Sequence, residues 1–400
     1  MEQVRGVDPM KYDFDRIIDR RGTDSVKWNI QGDEIPMWVA DMDFETAPAV
    51  SQAIADRAAH PIYGYTMIPD EWYEAYIGWW MDRHNYAMKK EWLMFSTGII
   101  PTISSCVRKL TTPNENVIIQ TPVYHIFFNS IINNGARVLE NRLVMGDGTY
   151  SMDFEDLEKK MSDPQTTLMI LCNPHNPCGR IWSREELRKV ASLADRYNVT
   201  VISDEIHCDI TAPGYKYVPF GSVSEEARAV SITCISPTKT FNIAGIQTSA
   251  VCVPDPVKRH KVWRAINTDE VAEPSCFACT AAIAAFREGE DWLDSLRAYV
   301  YENRKFAEMF INKRIPEIKV IHGNATYLIW ADIGGLSNDS TAFCREMRKE
   351  AGLYVSDGSV FGGDGSYIRV NIACPRDILT EGLLRLEKFA KQIRKKDRHV

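Results

Sequence analysis

The chain has no run approaching the roughly 20 apolar residues that a membrane-crossing helix needs. Its first residues, Met1-Glu2-Gln3-Val4-Arg5-Gly6-Val7-Asp8-Pro9, lack the apolar core of a secretory signal, so the expected location is the cytoplasm. A clustered basic surface, which nucleic acid or an anionic membrane would require, is missing as well. The 47 Lys and Arg are outnumbered by 54 Asp and Glu, for a formal charge of -7. The one basic stretch, residues 391–398, is short and terminal and reads as a solvated helix end. Ten cysteines are scattered without the spacing of a disulfide framework, which suits reduced thiols. Only Cys276-Phe277-Ala278-Cys279 has CxxC spacing, and with no second pair or nearby histidine it makes a poor zinc site. No metal is expected, and no repeat or low-complexity segment occurs.

What is present is a globular composition. Hydrophobic residues make up 45% of the 400, with 10 tryptophans, enough for a sizeable core and for two to three domains by length. From about residue 90 to 285, short apolar strands alternate with helices, which predicts βαβ units and a mainly parallel sheet. The clearest unit has a strand over 168–172, a helix over 184–197 opened by a Ser183/Glu186 capping box, and a strand over 199–203. Both termini differ: helices over 292–313 and 341–352 alternate with strands over 326–330 and 367–371. The expected fold class is α/β, with a large domain over 49–289 and a smaller α+β domain built from 1–48 and 290–400.

Within the large domain, a β-branched run over 229–235 stops at Pro237, which cannot continue a central ladder. Lys239 therefore falls just past a strand's carboxyl end, where open α/β sheets collect ligands. Lysines are mostly solvated, and that window alone favours a loop lysine in water. Three other loops from successive strands point to the same edge. Phe95-Ser96-Thr97-Gly98-Ile99-Ile100-Pro101 is a glycine turn into a helix start, with free N–H groups suited to a phosphate. Asn173-Pro174-His175-Asn176-Pro177-Cys178-Gly179 holds an amide at the edge through two Asn-Pro steps, which disfavour helix at the residues before proline. In Ser203-Asp204-Glu205-Ile206-His207 a carboxylate ends a buried strand, either capping a helix or pairing with a cation such as a protonated pyridine nitrogen. Phosphate cradle, amide, buried acid and amine are together what pyridoxal 5'-phosphate requires.

On these residues the chain resembles the fold-type I pyridoxal-phosphate enzymes of the aminotransferase superfamily, nearly end to end. Within them it is most similar to the carbon-sulfur β-lyases of the MalY/PatB type, the cystathionine β-lyases or cystalysin-like enzymes. The matching motifs are PMWVADMDF from Pro36, YGYT from Tyr63, TPVY from Thr121, NPHNPCGR from Asn173, SDEIH from Ser203, SPTKTFNIAGIQ from Ser236 and RVNIACPR from Arg369. The resemblance implies that Lys239 forms a Schiff base with the cofactor, Asp204 pairs with its ring nitrogen, Asn176 bonds its phenolic oxygen and Tyr124 stacks on its ring. It implies that Thr97, Gly98, Ile99 and Ser236 hold the phosphate, and that Tyr65 reaches the phosphate of a neighbouring subunit in a homodimer. Arg369 would clamp the substrate α-carboxylate, with Ala40 and Asn176 completing the substrate site.

Transaminases of the superfamily usually carry an arginine eight residues after the Schiff-base lysine and a tyrosine three after the aspartate. Here those positions are Gln247 and His207, of which His207 is expected in the cofactor site. Both substitutions fit the lyase branch. After TPVY, many lyases continue with an aromatic residue and proline, whereas this chain has His125-Ile126-Phe127; His125 reads as packed, or as a determinant of substrate choice. The implied activity is α,β-elimination of L-cystathionine or related cysteine S-conjugates to a thiol, pyruvate and ammonia, a step of methionine biosynthesis. Transamination competes with it, and a dicarboxylate type would need a second cationic anchor, for which Arg137 and Arg264 are candidates. A regulatory role through a transcriptional activator is a further alternative that no residue marks. Residues 267–274 are expected to border the pocket.

Overall fold

A computed structural model describes residues 12–397. The opening residues 1–9 and the last of the basic stretch, Arg398, lie outside them. Seven strands form the large sheet: β1 Leu93–Ser96, β2 Asn116–Ile119, β3 Arg137–Glu140, β4 Thr166–Cys172, β5 Thr200–Asp204, β6 Ser231–Ile235 and β7 Ser249–Cys252. Their order is β1-β7-β6-β5-β4-β2-β3, and β7 runs antiparallel to both neighbours while the other pairings are parallel. Near-continuous apolar sequence in β2, β4 and β5 is explained by burial on both faces. Val117, Ile119, Leu168, Ile170 and Ile202 pack on one face with Ile103 and Val107 of the helix Ile99–Leu110. On the other face Ile118, Met169, Leu171 and Val201 meet Leu187, Val190 and Ala191 of the helix Arg184–Arg196.

That second helix opens with the expected capping box: Ser183 accepts from the Glu186 amide, and Glu186 accepts from the Ser183 amide. Other boundaries move by a residue or two, and one reading needs correction. Ala229 and Val230 are not strand but the end of the helix Glu225–Val230, because the Ser224 hydroxyl caps it by accepting from the Ala227 amide. The site therefore hangs from a five-residue strand.

A second, antiparallel sheet comprises β8 Lys319–Val320, β9 Leu328–Asp332, β10 Ser356–Asp357 and β11 Tyr367–Asn371, in the order β8-β9-β11-β10. The N-terminal segment joins this part, since Ile35–Pro36 pairs in parallel with Leu353–Tyr354. On that topology we place the domain boundary at Gly289, between the helices Ala278–Glu288 and Glu290–Arg314. The largest apolar cluster nevertheless spans both parts, from Phe14 through Trp72 and Phe241 to Phe389. A second junction lies at Gly179, whose φ is +71°; its carbonyl accepts the Asn324 and Ala325 amides, and a Cβ there would stand 2.6 Å from the Ala325 oxygen. No helix among the described residues is long and apolar enough to cross a membrane.

Candidate active site

Register brings the predicted loops together. Cys172 pairs with Asp204, and Asp204 with Cys234, so β4, β5 and β6 end in one row at the carboxyl edge. Beyond it lie Asn176, His207 and Lys239; the loop after β2 adds Tyr124, and the loop after β1 adds Thr97 to Ile99. A strap of residues 37–44 crosses this edge. Asn371 donates to the Val39 and Asp41 carbonyls at 2.6 Å each, and Asn242 donates to those of Met42 and Phe44 at 3.1 and 2.8 Å. Lys27, itself buried, pairs with Asp43 at 2.7 Å and Arg20 pairs with Asp41 at 2.9 Å, fixing the strap's far side.

Lys239 Nζ donates to the Ala40 carbonyl at 2.5 Å, which Tyr327 Oη also reaches at 2.9 Å. Burial lowers the Lys239 pKa to about 8; Asp41 and Asp204 oppose that shift, and Arg369 adds to it. The amine is thus partly in its nucleophilic form near neutral pH.

Two adjacent buried acids have different surroundings. Glu205 accepts from Ser203 Oγ at 2.7 Å, from the Phe220 amide at 2.9 Å and from Tyr217 Oη, so its bonds anchor the loop. Asp204 accepts only from the Ile206 amide, at 3.1 Å. No helix follows it, which removes the capping alternative. Burial pushes the Asp204 carboxyl up to about 6, with the Ile206 bond and the Lys239 charge opposing. His207 is also buried, its Nδ1 has no partner, and burial first, then the charges of Lys239 and Arg369, lower its pKa to about 3.

Arg369, on β11, is 4% exposed and has no carboxylate partner among the described residues. Its Nη1 donates to Asn176 Oδ1 at 3.1 Å and its Nη2 to the Trp38 carbonyl at 3.1 Å, while Nε is buried without a partner. A buried guanidinium lacking a counterion is costly, and burial lowers its pKa to about 10. The Arg369 bond also turns the Asn176 amide so that Nδ2 is left free to donate.

At the presumed phosphate end, the Gly98, Ile99 and Ile100 amides have no acceptor among the described residues, as the first turn of a helix leaves them. The Thr97 amide is committed to the Val271 carbonyl at 2.9 Å, which also puts residues 267–274 beside this loop. Ser236 gives its only hydroxyl proton to the Thr248 carbonyl and accepts from the Thr238 amide, so it has no donor left for a phosphate. Thr238, 2.7 Å from Ser236 Oγ, was not anticipated, nor was Tyr327. An alternating Ser-x-Thr-Lys spacing could have flagged Thr238; Tyr327 arrives from β9's approach, and no local pattern carries it. Arg137 starts β3, at the opposite edge from the strand-end loops, and Arg264 is exposed on the helix Pro256–Thr268, so neither lines this cluster. Tyr65 is fully exposed.

Orphaned buried nitrogens, a buried acid with one bond, free helix-start amides and an amine of lowered pKa fit pyridoxal 5'-phosphate. They define an α/β enzyme with a buried lysine of lowered pKa at the carboxyl edge of its sheet. Residues 33–386 match the family Aminotransferase class I and II, and the chain belongs to that family. It is 40% identical to the cystathionine beta-lyase PatB of Bacillus subtilis (strain 168), over 94% of this chain and 98% of the relative. Cystalysin from Treponema denticola, which contains a pyridoxal 5'-phosphate cofactor, superposes with a TM-score of 0.93 at 32% identity, covering 96% of this chain and all of the other. A PLP-bound putative aminotransferase from Clostridium difficile 630 gives 0.92 at 39% identity, covering 95% and 100%. The fold is that of the fold-type I pyridoxal-phosphate enzymes.

Proposed function

We propose that this pyridoxal-phosphate-dependent carbon-sulfur β-lyase acts on cysteine S-conjugates, L-cystathionine among them, in the cytoplasm and as a homodimer. The observation that carries the reading is Lys239, an amine tuned to about 8 between the Asp204 carboxyl and the Arg369 guanidinium. When bound, the cofactor supplies a carbonyl for the amine and a conjugated ring that accepts an electron pair from Cα. The amides of Gly98, Ile99 and Ile100, with the Thr97 hydroxyl, would hold its phosphate; Ser236, fixed on the Thr248 carbonyl, accepts from the Thr238 hydroxyl and amide and so orders that turn. Asp204 would hold a proton at the ring nitrogen, Asn176 Nδ2 would donate to the phenolic oxygen, and Tyr124 would stack on the ring, with His207 also in the cofactor site.

Arg369 orients the substrate α-carboxylate, and the Ala40 carbonyl steadies the Lys239 amine. Lys239 takes the proton from Cα as general base. The Cβ–S bond breaks, the departing thiolate takes a proton from Lys239, and hydrolysis releases the rest as pyruvate and ammonia. A dicarboxylate-type transaminase would need a second cation for a distal carboxylate, and neither Arg137 at the opposite sheet edge nor the exposed Arg264 lines this cluster. Tyr65 is exposed with Ile62, Tyr63 and Met67 in one segment, an apolar surface suited to a second copy. Sedimentation as a monomer would overturn the dimer.

The deciding assay is pyruvate and ammonia release from L-cystathionine with no 2-oxo acid present. Turnover that requires an added acceptor would favour transamination instead. Because only the neutral amine attacks a carbonyl, the rate at which the visible band forms on adding cofactor to apoenzyme should rise with pH and level off above about 8. A rate still climbing without levelling up to about pH 10, as an ordinary lysine near 10.4 would give, would exclude the lowered pKa. Arg369→Lys keeps the charge and loses the fork. A charge-assisted bond is worth about 1.5 to 3 kcal/mol, so KM should rise about 10- to 150-fold with a smaller change in kcat. Steady-state kinetics with S-methyl-L-cysteine checks this.

A further inference from the structure

The loop after β2 carries a histidine whose ring packs on aromatic neighbours but whose Nδ1 has no hydrogen bond among the described residues. His125 sits between two rings, Tyr124 at 5.2 Å and Phe361 at 5.6 Å. Its Nδ1 is buried with no hydrogen-bond partner. Leaving a buried polar nitrogen unmet costs about 1 to 3 kcal/mol, so such an atom in a cleft points to a ligand. Phe361 also touches Arg369, whose guanidinium carbon lies 4.8 Å from the phenyl centroid and whose Nε is likewise buried without a partner among the described residues. Partial burial, then the Arg369 charge, lowers the His125 pKa, so the imidazole is neutral near pH 7 and offers one N–H.

Two unmet nitrogens thus lie beside one phenyl ring, that of Phe361. Arg369 Nε can only donate, and His125 Nδ1 donates in one of its two tautomers. A single ligand group satisfies both, namely a carboxylate, which presents two acceptor oxygens. A cation is excluded by the adjacent guanidinium, and an apolar group would leave both nitrogens unmet. We propose that His125 is a second donor to the substrate α-carboxylate, with its Nδ1–H on one oxygen while Arg369 holds the other. The inference rests on reading Arg369 as the carboxylate anchor. It makes His125 a substrate-binding residue that selects α-amino acids over the corresponding amines.

The test uses holoenzyme and two unreactive ligands that differ only in the carboxylate. These are L-methionine, whose sulfur is one carbon too distant for β-elimination, and 3-(methylthio)propylamine. Binding is read from the change in the cofactor's visible spectrum. In His125→Phe the Kd for L-methionine should rise about tenfold or more while that for the amine stays within about twofold. His125→Asn, whose amide Nδ2 lies near the position of the imidazole Nδ1, should recover most of the loss. The proposal is overturned if acid and amine weaken equally in His125→Phe, if neither weakens, or if Asn is no better than Phe. Failure of the underlying readings looks different. A wild-type spectrum that responds to neither ligand overturns the proposed function, and an Arg369→Lys variant that still prefers the acid by the wild-type factor overturns the anchor.

Discussion

Lys239→Ala is expected to abolish the visible absorption band of the lysine-bound cofactor and to lower kcat by at least about a thousandfold. Positioned general bases contribute about 10²- to 10⁴-fold, and here the same amine also binds the carbonyl and reprotonates the leaving thiolate. No neighbour can replace it. Cys172 and Cys234 are the thiols in the strand-end row, and burial pushes both pKa values well above the ordinary one, so little thiolate is available. His207 is held neutral at about 3 and cannot act as the acid. Tyr327 shares the Ala40 carbonyl, but burial raises its pKa, and it stays a phenol. The variant should still fold, because the only bond it loses is the one to the Ala40 carbonyl, which Tyr327 keeps. Added methylamine should restore part of the rate by standing in for the missing base. An unchanged visible band, or kcat within tenfold of wild type, would sink the assignment of Lys239.

How much of this was legible in the sequence depends on how far each residue acts along the chain. The helix Arg184–Arg196 was readable to within a residue, because its start is written locally in the Ser183/Glu186 box. The edge on which Asp204, Asn176 and Lys239 meet was readable too, since parallel strands must end on one side. Strand β6 was read two residues too long because Ala229 and Val230 are apolar, and the capping hydroxyl of Ser224 outweighed that pattern. The strap is of another kind. Its fixing bonds join Asn371 to Val39 and Asn242 to Met42, 332 and 200 residues apart, and no periodicity signals them. Only motif resemblance brought residues 36–44 and 369–376 to the site. The Thr97 amide and the Ser236 hydroxyl show the limit of a motif: it names residues but not which of their groups are free, and hydrogen bonds to Val271 and Thr248 occupy these two.

Asp204→Asn should separate activity from stability, lowering the first and raising the second. In the apoprotein the carboxyl titrates at about 6, against about 3.9 for an aspartate in water. Between those two pH values the folded state binds more protons than the unfolded state, so stability falls as pH rises from about 4 to about 6. Above that the cost is constant, on the order of 2 to 3 kcal/mol. Asparagine carries no charge to bury and keeps an oxygen for the Ile206 amide. Apo Asp204→Asn should therefore melt a few degrees above the wild-type apoprotein at pH 8, with the gap closing toward pH 4. On the proposed role of Asp204, cofactor binding should reverse the sign, because a protonated ring nitrogen would pair with the wild-type carboxylate and an amide would not hold that proton. Losing one preorganised electrostatic partner of this kind costs about 10²- to 10³-fold in kcat. The strain that the empty site carries at Asp204 is thus what the loaded site uses, in line with the exchange of stability for function at buried charges. Thermal melts of apo and loaded protein from pH 4 to 8, with kcat measured at pH 8, check both halves. Equal apo melting temperatures across that range, or turnover within tenfold of wild type, would remove Asp204 from this role.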